Sequence, residues 1–313
     1  MADGHAGPST NPSMTVVSRK TLLLLLGLVV ALPLAKSDAP DIRTVKPDLT
    51  VPKLESGKAA PGSRVRETLP GYKKTKVYHV TYLPTNWQAG KRYPVIVEYA
   101  GNNYHGAHGD ISTGRPEGSN MGYGISGGRG FIWVCLPYLN AAGDDIALTW
   151  WGDAKNRTAK PTIDYCLKAV PWICEQYGGD PGQVILAGFS RGAIACNYLG
   201  LHNDRVAKLW RAFIPYSHYD GIAAWPYPGS DRDSAGARLK RLAKRPQFIY
   251  HEVTGSRLNL AATRRWLKST GLTENITFAE TGFRNHNDAW LLRPSAARSQ
   301  LRQWLEGVLS QKR

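Results

Sequence analysis

Residues Val184–Leu201 read VILAGFSRGAIACNYLGL. Four apolar residues lead into Gly188-Phe189-Ser190-Arg191-Gly192, and a run of small and apolar residues follows. The first part predicts a buried strand and the last part a helix, so the pentapeptide has to turn the chain sharply. Glycines two places before and two places after Ser190 let neighbouring segments approach without a Cβ in the way. A serine on so tight a turn has strained backbone angles and stands above the sheet edge, at the positive end of a helix. G-x-S-x-G between a strand and a helix marks Ser190 as a candidate nucleophile, with a plain structural turn as the alternative.

The surrounding chain supports a sheet with covering helices. Strand patterns appear at 76–84, 93–101, 130–138, 209–217, 246–253 and around ITFAE (276–280). Helix patterns appear at 161–177, 258–271 and 294–311, the first beginning at Pro161 and ending at Gly178-Gly179. Pro171 inside it predicts a kink or a break. From about residue 93 strands alternate with helices, which predicts an α/β fold with a mostly parallel sheet covered on both faces. The strand at 76–84 alternates in character, as an antiparallel edge strand does. Residues 105–130 are glycine-rich without periodicity and read as a long substrate-binding loop.

A serine nucleophile needs a base, and the chain has eight histidines. In a Ser…acid…His order the base lies in a loop after the last strand. His286, in GFRNHNDAW, meets that condition, with a plain loop histidine as the alternative.

The order of YPVIVEYAGN, VILAGFSRG, FIYHE and FRNHNDAW resembles the α/β-hydrolase superfamily. More narrowly it is similar to the secreted esterase-like branch of polyhydroxybutyrate depolymerases, feruloyl and acetylxylan esterases and dienelactone hydrolases. The resemblance covers roughly residues 76–310. It implies a triad acid in the loop after PQFIYHEV, but that loop reads TGSRLNL and has Leu258 where the acid is expected. Asp220, in IPYSHYDG, is the first substitute, Glu252 at the end of FIYHE the alternative, and Asp288 lies too near His286 in sequence. The resemblance also implies an oxyanion hole from the backbone N–H of Arg191 and that of Asn102 or Asn103. TWWGD (149–153) and Trp290 are candidates for the cleft mouth, with core or lid packing the commoner role.

These readings imply an exported serine hydrolase, most simply a carboxylic-ester hydrolase, with no cofactor and no metal. The expected substrate is a small-molecule or polysaccharide-linked ester. A prolyl-oligopeptidase-like peptidase and a non-catalytic envelope or carbohydrate-binding protein are the alternatives; the misplaced acid favours the latter.

Residues 1–37 read as a signal peptide or N-terminal anchor: Arg19 and Lys20 precede an apolar run from Leu22 to Leu34, and small residues follow. Such a segment places the protein outside the cell or in the periplasm and envelope, touching a membrane only if uncleaved. Met14 is an alternative start. Residues 38–70 read as a linker or extended arm, and 71–313 as the catalytic domain. The net charge of +16 is scattered, and its densest stretch, ARLKRLAKRPQ, reads as a solvated helix face, so no nucleic-acid partner is expected. The four cysteines have no metal spacing and read as small buried hydrophobes.

Overall fold

A computed structural model describes residues 39–106, 109–254, 256–272 and 274–311. The expected signal segment lies outside these residues. Strands β1 (Leu54–Glu55), β2 (Arg64–Glu67), β3 (His79–Tyr82) and β4 (Tyr93–Tyr99) come first. A small hairpin, β5 (Tyr104–His105) and β6 (Ile111–Ser112), precedes α1 (Met121–Ser126). Then follow β7 (Ile132–Leu136), α2 (Lys160–Tyr177), β8 (Gly179–Phe189), α3 (Arg191–Tyr198) and α4 (Asp204–Ala207). β9 (Ala212–Tyr216), α5 (Arg232–Leu239), β10 (Gln247–His251), α6 (Leu260–Thr270), β11 (Ile276–Glu280) and α7 (Ala296–Ser310) complete the order.

Nine strands form one sheet in the order β1-β2-β3-β7-β4-β8-β9-β10-β11. From β7 to β11 every pairing is parallel, while β3 runs antiparallel to both β2 and β7. Successive side chains point to opposite faces, so the central strands serve two cores. Val95, Val97, Val184 and Leu186 face one core with α2, α3 and α6. Ile96, Ile185, Ala187 and Phe189 face the other with α1 and α7. The expected α/β architecture with both faces covered is the one observed.

Four expectations change. The described part of the expected linker or extended arm, 39–70, is built into the domain. β1 and β2 extend the sheet, which makes β3 an internal strand and not an edge. Ile42 is buried in the α1–α7 core, and Asp48 pairs with Arg298. Helix α2 runs unbroken through Pro171, since one missing N–H costs less than its buried face returns. Within the expected loop at 105–130, Ile111–Ser112 form β6 and Met121–Ser126 form α1. All four cysteines are buried and free, as small hydrophobes.

Helix α1 is pinned by a buried carboxyl at the centre of the sheet. Glu98 on β4 is fully buried and accepts from Met121 N (3.1 Å), Gly122 N (2.8 Å) and Trp133 Nε1 (2.8 Å). These donors include otherwise unpaired N–H groups at the helix start. Asp288 accepts from Asn120 N (3.0 Å) and Asn120 Nδ2 (2.7 Å) just before α1. Burial, and for Glu98 the nearby Asp288 charge, push both carboxyls above their ordinary range. The folded chain then holds protons that the unfolded chain releases. This stability is present below the ordinary carboxyl pKa and is lost as pH rises through the raised folded values. Melting temperature is therefore expected to fall between about pH 4 and about pH 7, and Glu98→Gln to flatten that fall. An equal slope in the variant contradicts the assignment.

Candidate active site

Ser190 sits between β8 and α3 at φ 54, ψ −113, a strained conformation for a residue with a Cβ. Its neighbours explain how the strain is held. A Cβ on Gly188 would overlap the Gly192 carbonyl, and one on Gly192 would overlap the Tyr99 carbonyl of β4. The turn therefore lies flush against the adjacent strand, and Ser190 N is fixed by donating to Tyr216 O (3.0 Å).

His286 follows β11 in a loop tied down at several points. Its backbone N donates to Asp110 Oδ1 (2.9 Å). The preceding residues are gripped by the N-terminal strap: Ile42 N donates to Asn285 Oδ1 (2.6 Å), and Arg284 pairs with Asp41 (3.0 Å). The imidazole packs on Phe189 with ring centroids 4.6 Å apart. His286 Nε2 lies 3.0 Å from Ser190 Oγ, and Nδ1 lies 2.9 Å from Glu252 Oε1.

Glu252, one residue past β10, is buried. Burial opposes its charge, but the hydrogen bond and charge of His286 outweigh that and hold its pKa at about 2. The carboxylate is thus an ionised acceptor aimed at Nδ1, so the structure places the alternative acid beside the base.

Asp220 is not beside His286. Its two carboxylate oxygens take Arg238 Nε (2.9 Å) and Nη2 (3.1 Å) in a buried bidentate pair. Burial raises its pKa to about 6 even against that cation. Arg238 lies in the stretch expected to be a solvated helix face, but it is buried at the end of α5 and claims the Asp220 carboxylate. Asp288, as expected, turns away to Asn120.

Arg191 N opens α3, and among the described residues no acceptor takes the N–H of Arg191 or of Asn102. Asn103 is corrected as a donor: its N–H goes to Leu148 O (2.8 Å). The Arg191 side chain has a role that the sequence did not suggest. Its guanidinium is buried over the Tyr138 ring (3.6 Å to the centroid). It donates to the carbonyls of Gly101 (2.9 Å), Ala147 (3.1 Å), Gly114 (3.2 Å) and Trp150. Burial lowers its pKa to about 10, so it remains a cation at neutral pH. The Gly101 carbonyl and the Asn102 N–H belong to one planar trans peptide, so they point in opposite directions. Gripping the carbonyl from inside turns that N–H outward.

Ser190, Arg191, Asn102, Asn103 and His286 line one cavity of about 610 Å³. Trp150 and Trp225 form an aromatic wall, with centroids 5.2 Å apart. Trp151 and Trp290 are fully buried, so Trp290 is core and not cleft mouth. His218, Asp110 and the buried Ser217 beside Glu252 were not singled out in sequence; His218 and Asp110 line the cavity. The one available signal was SH following a strand at the same sheet edge as Ser190. No group of three or more His, Cys, Asp or Glu is arranged for a metal among the described residues.

No family model matches the chain, and no curated protein matches it. Solved structures do. A protein assigned as a dipeptidyl aminopeptidase IV from Bacteroides ovatus aligns over 78% of this chain and 36% of its own, at 15% identity and TM-score 0.54. The acylaminoacyl peptidase of Pyrococcus horikoshii aligns over 75% and 40%, at 13% identity and TM-score 0.50. A protein assigned as a carboxylesterase from Lactobacillus plantarum aligns over 79% and 98%, at 15% identity and TM-score 0.50. The chain spans well under two thirds of the length of the two peptidases. Together with the sheet order, these likenesses show that the chain has the α/β-hydrolase fold.

Proposed function

We propose that the chain is a serine hydrolase that cleaves carboxylic esters through an acyl-enzyme on Ser190. The observation that carries this reading is the continuous hydrogen-bonded line Ser190 Oγ–His286 Nε2 (3.0 Å) and His286 Nδ1–Glu252 Oε1 (2.9 Å). Ser190 Oγ attacks the ester carbonyl while His286 Nε2 takes its proton. Glu252 holds the imidazole in the tautomer with the proton on Nδ1 and stabilises the imidazolium. The N–H groups of Arg191 and Asn102 receive the charge that develops on the carbonyl oxygen. His286 returns its proton to the leaving alcohol, and water cleaves the acyl-enzyme by the same route.

The non-catalytic reading drew on a missing acid, and Glu252 removes that support. The cavity, with Trp150 and Trp225 on one side and polar groups on the other, suits a small-molecule or polysaccharide-linked ester. Export belongs to the same proposal and rests on the sequence from Arg19 to Ser37 alone.

Hydrolysis of p-nitrophenyl acetate tests the reading. Ser190→Ala is expected to reduce it to background; retained activity contradicts the mechanism. Glu252→Gln is expected to lower kcat about 10⁴-fold, as loss of the orienting acid does in serine proteases. Asp220→Asn is expected to leave kcat nearly intact but to cost about 3 kcal/mol of stability by stranding Arg238. The reverse pattern assigns the acid to Asp220. Arg191→Met is expected to lower kcat about 10²-fold with a smaller change in KM, because it loosens one oxyanion donor. Unchanged kcat in a folded Arg191→Met variant removes the guanidinium from the account.

A further inference from the structure

Ser217 and His218 follow β9 directly. Ser217 is 1% exposed and sits at φ 86, a left-handed conformation that favours glycine. Its backbone N donates to Tyr250 O (2.8 Å), which holds it there. The hydroxyl oxygen lies 2.8 Å from His286 Nδ1, 3.1 Å from Glu252 Oε1 and 3.1 Å from His218 Nδ1.

A hydroxyl has one proton, so these three contacts constrain one another. His286 Nδ1 carries a proton in the proposed mechanism, because Nε2 must accept from Ser190. It therefore donates, and cannot take the proton of Ser217. That leaves Glu252 and His218. A bond to an ionised carboxylate is roughly twice as strong as one between neutral groups. The Ser217 proton therefore goes to Glu252 Oε1, and Ser217 Oγ faces His218 with a lone pair. Two lone pairs at hydrogen-bond distance repel, so His218 Nδ1 must be the donor there.

His218 is neutral, because burial pulls its pKa down to about 3 and the neighbouring His286 adds to the effect. A neutral imidazole protonated on Nδ1 has a bare acceptor at Nε2. That nitrogen has no partner among the described residues and is not sealed from solvent, and His218 lines the cavity that holds Ser190. The ring is fixed edge-on to His286 (centroids 5.2 Å apart) and against Trp225 (5.6 Å), so the acceptor lies close to the reacting centre.

We infer that His218 is a specificity residue whose bare Nε2 accepts a hydrogen bond from a hydroxyl or amide N–H of the substrate near the scissile ester. The inference rests on the ester-hydrolase reading and narrows it to esters with a donor group close to the bond cleaved. Ser217 acts through His218, as the positioning residue that sets its tautomer. An ester with a methyl in place of the donor leaves Nε2 desolvated and unpaired, and is disfavoured by about tenfold or more.

Two near-isosteric pairs read this out: ethyl glycolate against ethyl propionate, and hydroxyethyl butyrate against propyl butyrate. The wild type is expected to favour the hydroxyl-bearing member of at least one pair by about tenfold in kcat/KM. His218→Phe is expected to bring that ratio towards one. If His218→Phe does not fold, Ser217→Ala, which frees the tautomer, is expected to reduce the ratio as well. Independently, imidazole nitrogen shifts of isotope-labelled wild-type protein are expected to show His218 protonated on Nδ1 and bare on Nε2. A proton on Nε2, no preference in either pair, or a preference that neither variant alters overturns the inference. Failure to hydrolyse any of the four esters overturns the ester reading and with it the substrate class. The ring-nitrogen signals still decide the tautomer in that case.

Discussion

The close approach of the Ser190 turn to β4 governs much of the rest of the site. Gly192 lies against the Tyr99 carbonyl, and Gly188 against the Gly192 carbonyl, with no room for a Cβ at either. That contact forces Ser190 into a strained φ and ψ and aims its hydroxyl out of the sheet edge. The strain is sustainable because the surroundings are rigid: β8 is paired on both sides, and its side chains fill both cores. A strained residue on a flexible element would relax instead.

The same turn places Arg191 inward, and its guanidinium joins three segments that are remote in sequence. It reaches the exit of β4 at Gly101, the turn at Gly114 and the loop from Ala147 to Trp150. Asn102 Oδ1, accepting from Trp150 N (2.7 Å), and Asn103 N, donating to Leu148 O, close the first and third segments on each other. The N–H groups of Arg191 and Asn102, which have no acceptor among the described residues, are thus held by one residue, one as part of it and one through the Gly101–Asn102 peptide. A cation buried against carbonyls costs desolvation, and the order it gives these loops offsets that cost. On the opposite side, Asp41 and Ile42 fasten the His286 loop, which links the first described residues to the site.

Local signals were legible and long-range pairings were not. Strand-turn-helix patterning located Ser190, and the loop after the last strand located His286, because both follow from neighbours in sequence. The α/β sheet followed from alternation alone. The ambiguity between Asp220 and Glu252 was decided by Arg238, a residue 18 positions from Asp220 whose burial no local pattern reveals. Asn103 looked equivalent to Asn102 until the Leu148 carbonyl claimed its N–H. Residues 38–70 looked like a linker because β1 and β2 are too short to show periodicity, yet they extend the sheet beyond β3. Ser217 was invisible because a buried serine has no pattern; only the convergence of His218, Glu252 and His286 on its hydroxyl shows its place.

The central claim is that Ser190 is an activated nucleophile in the folded chain. Peptide-resolved mass spectrometry after exposure to a fluorophosphonate measures this without assuming a substrate. A single adduct on Ser190 is expected, lost when the protein is unfolded before exposure and strongly slowed in Glu252→Gln. An unlabelled Ser190 in folded wild-type protein, or labelling that survives unfolding, would contradict it.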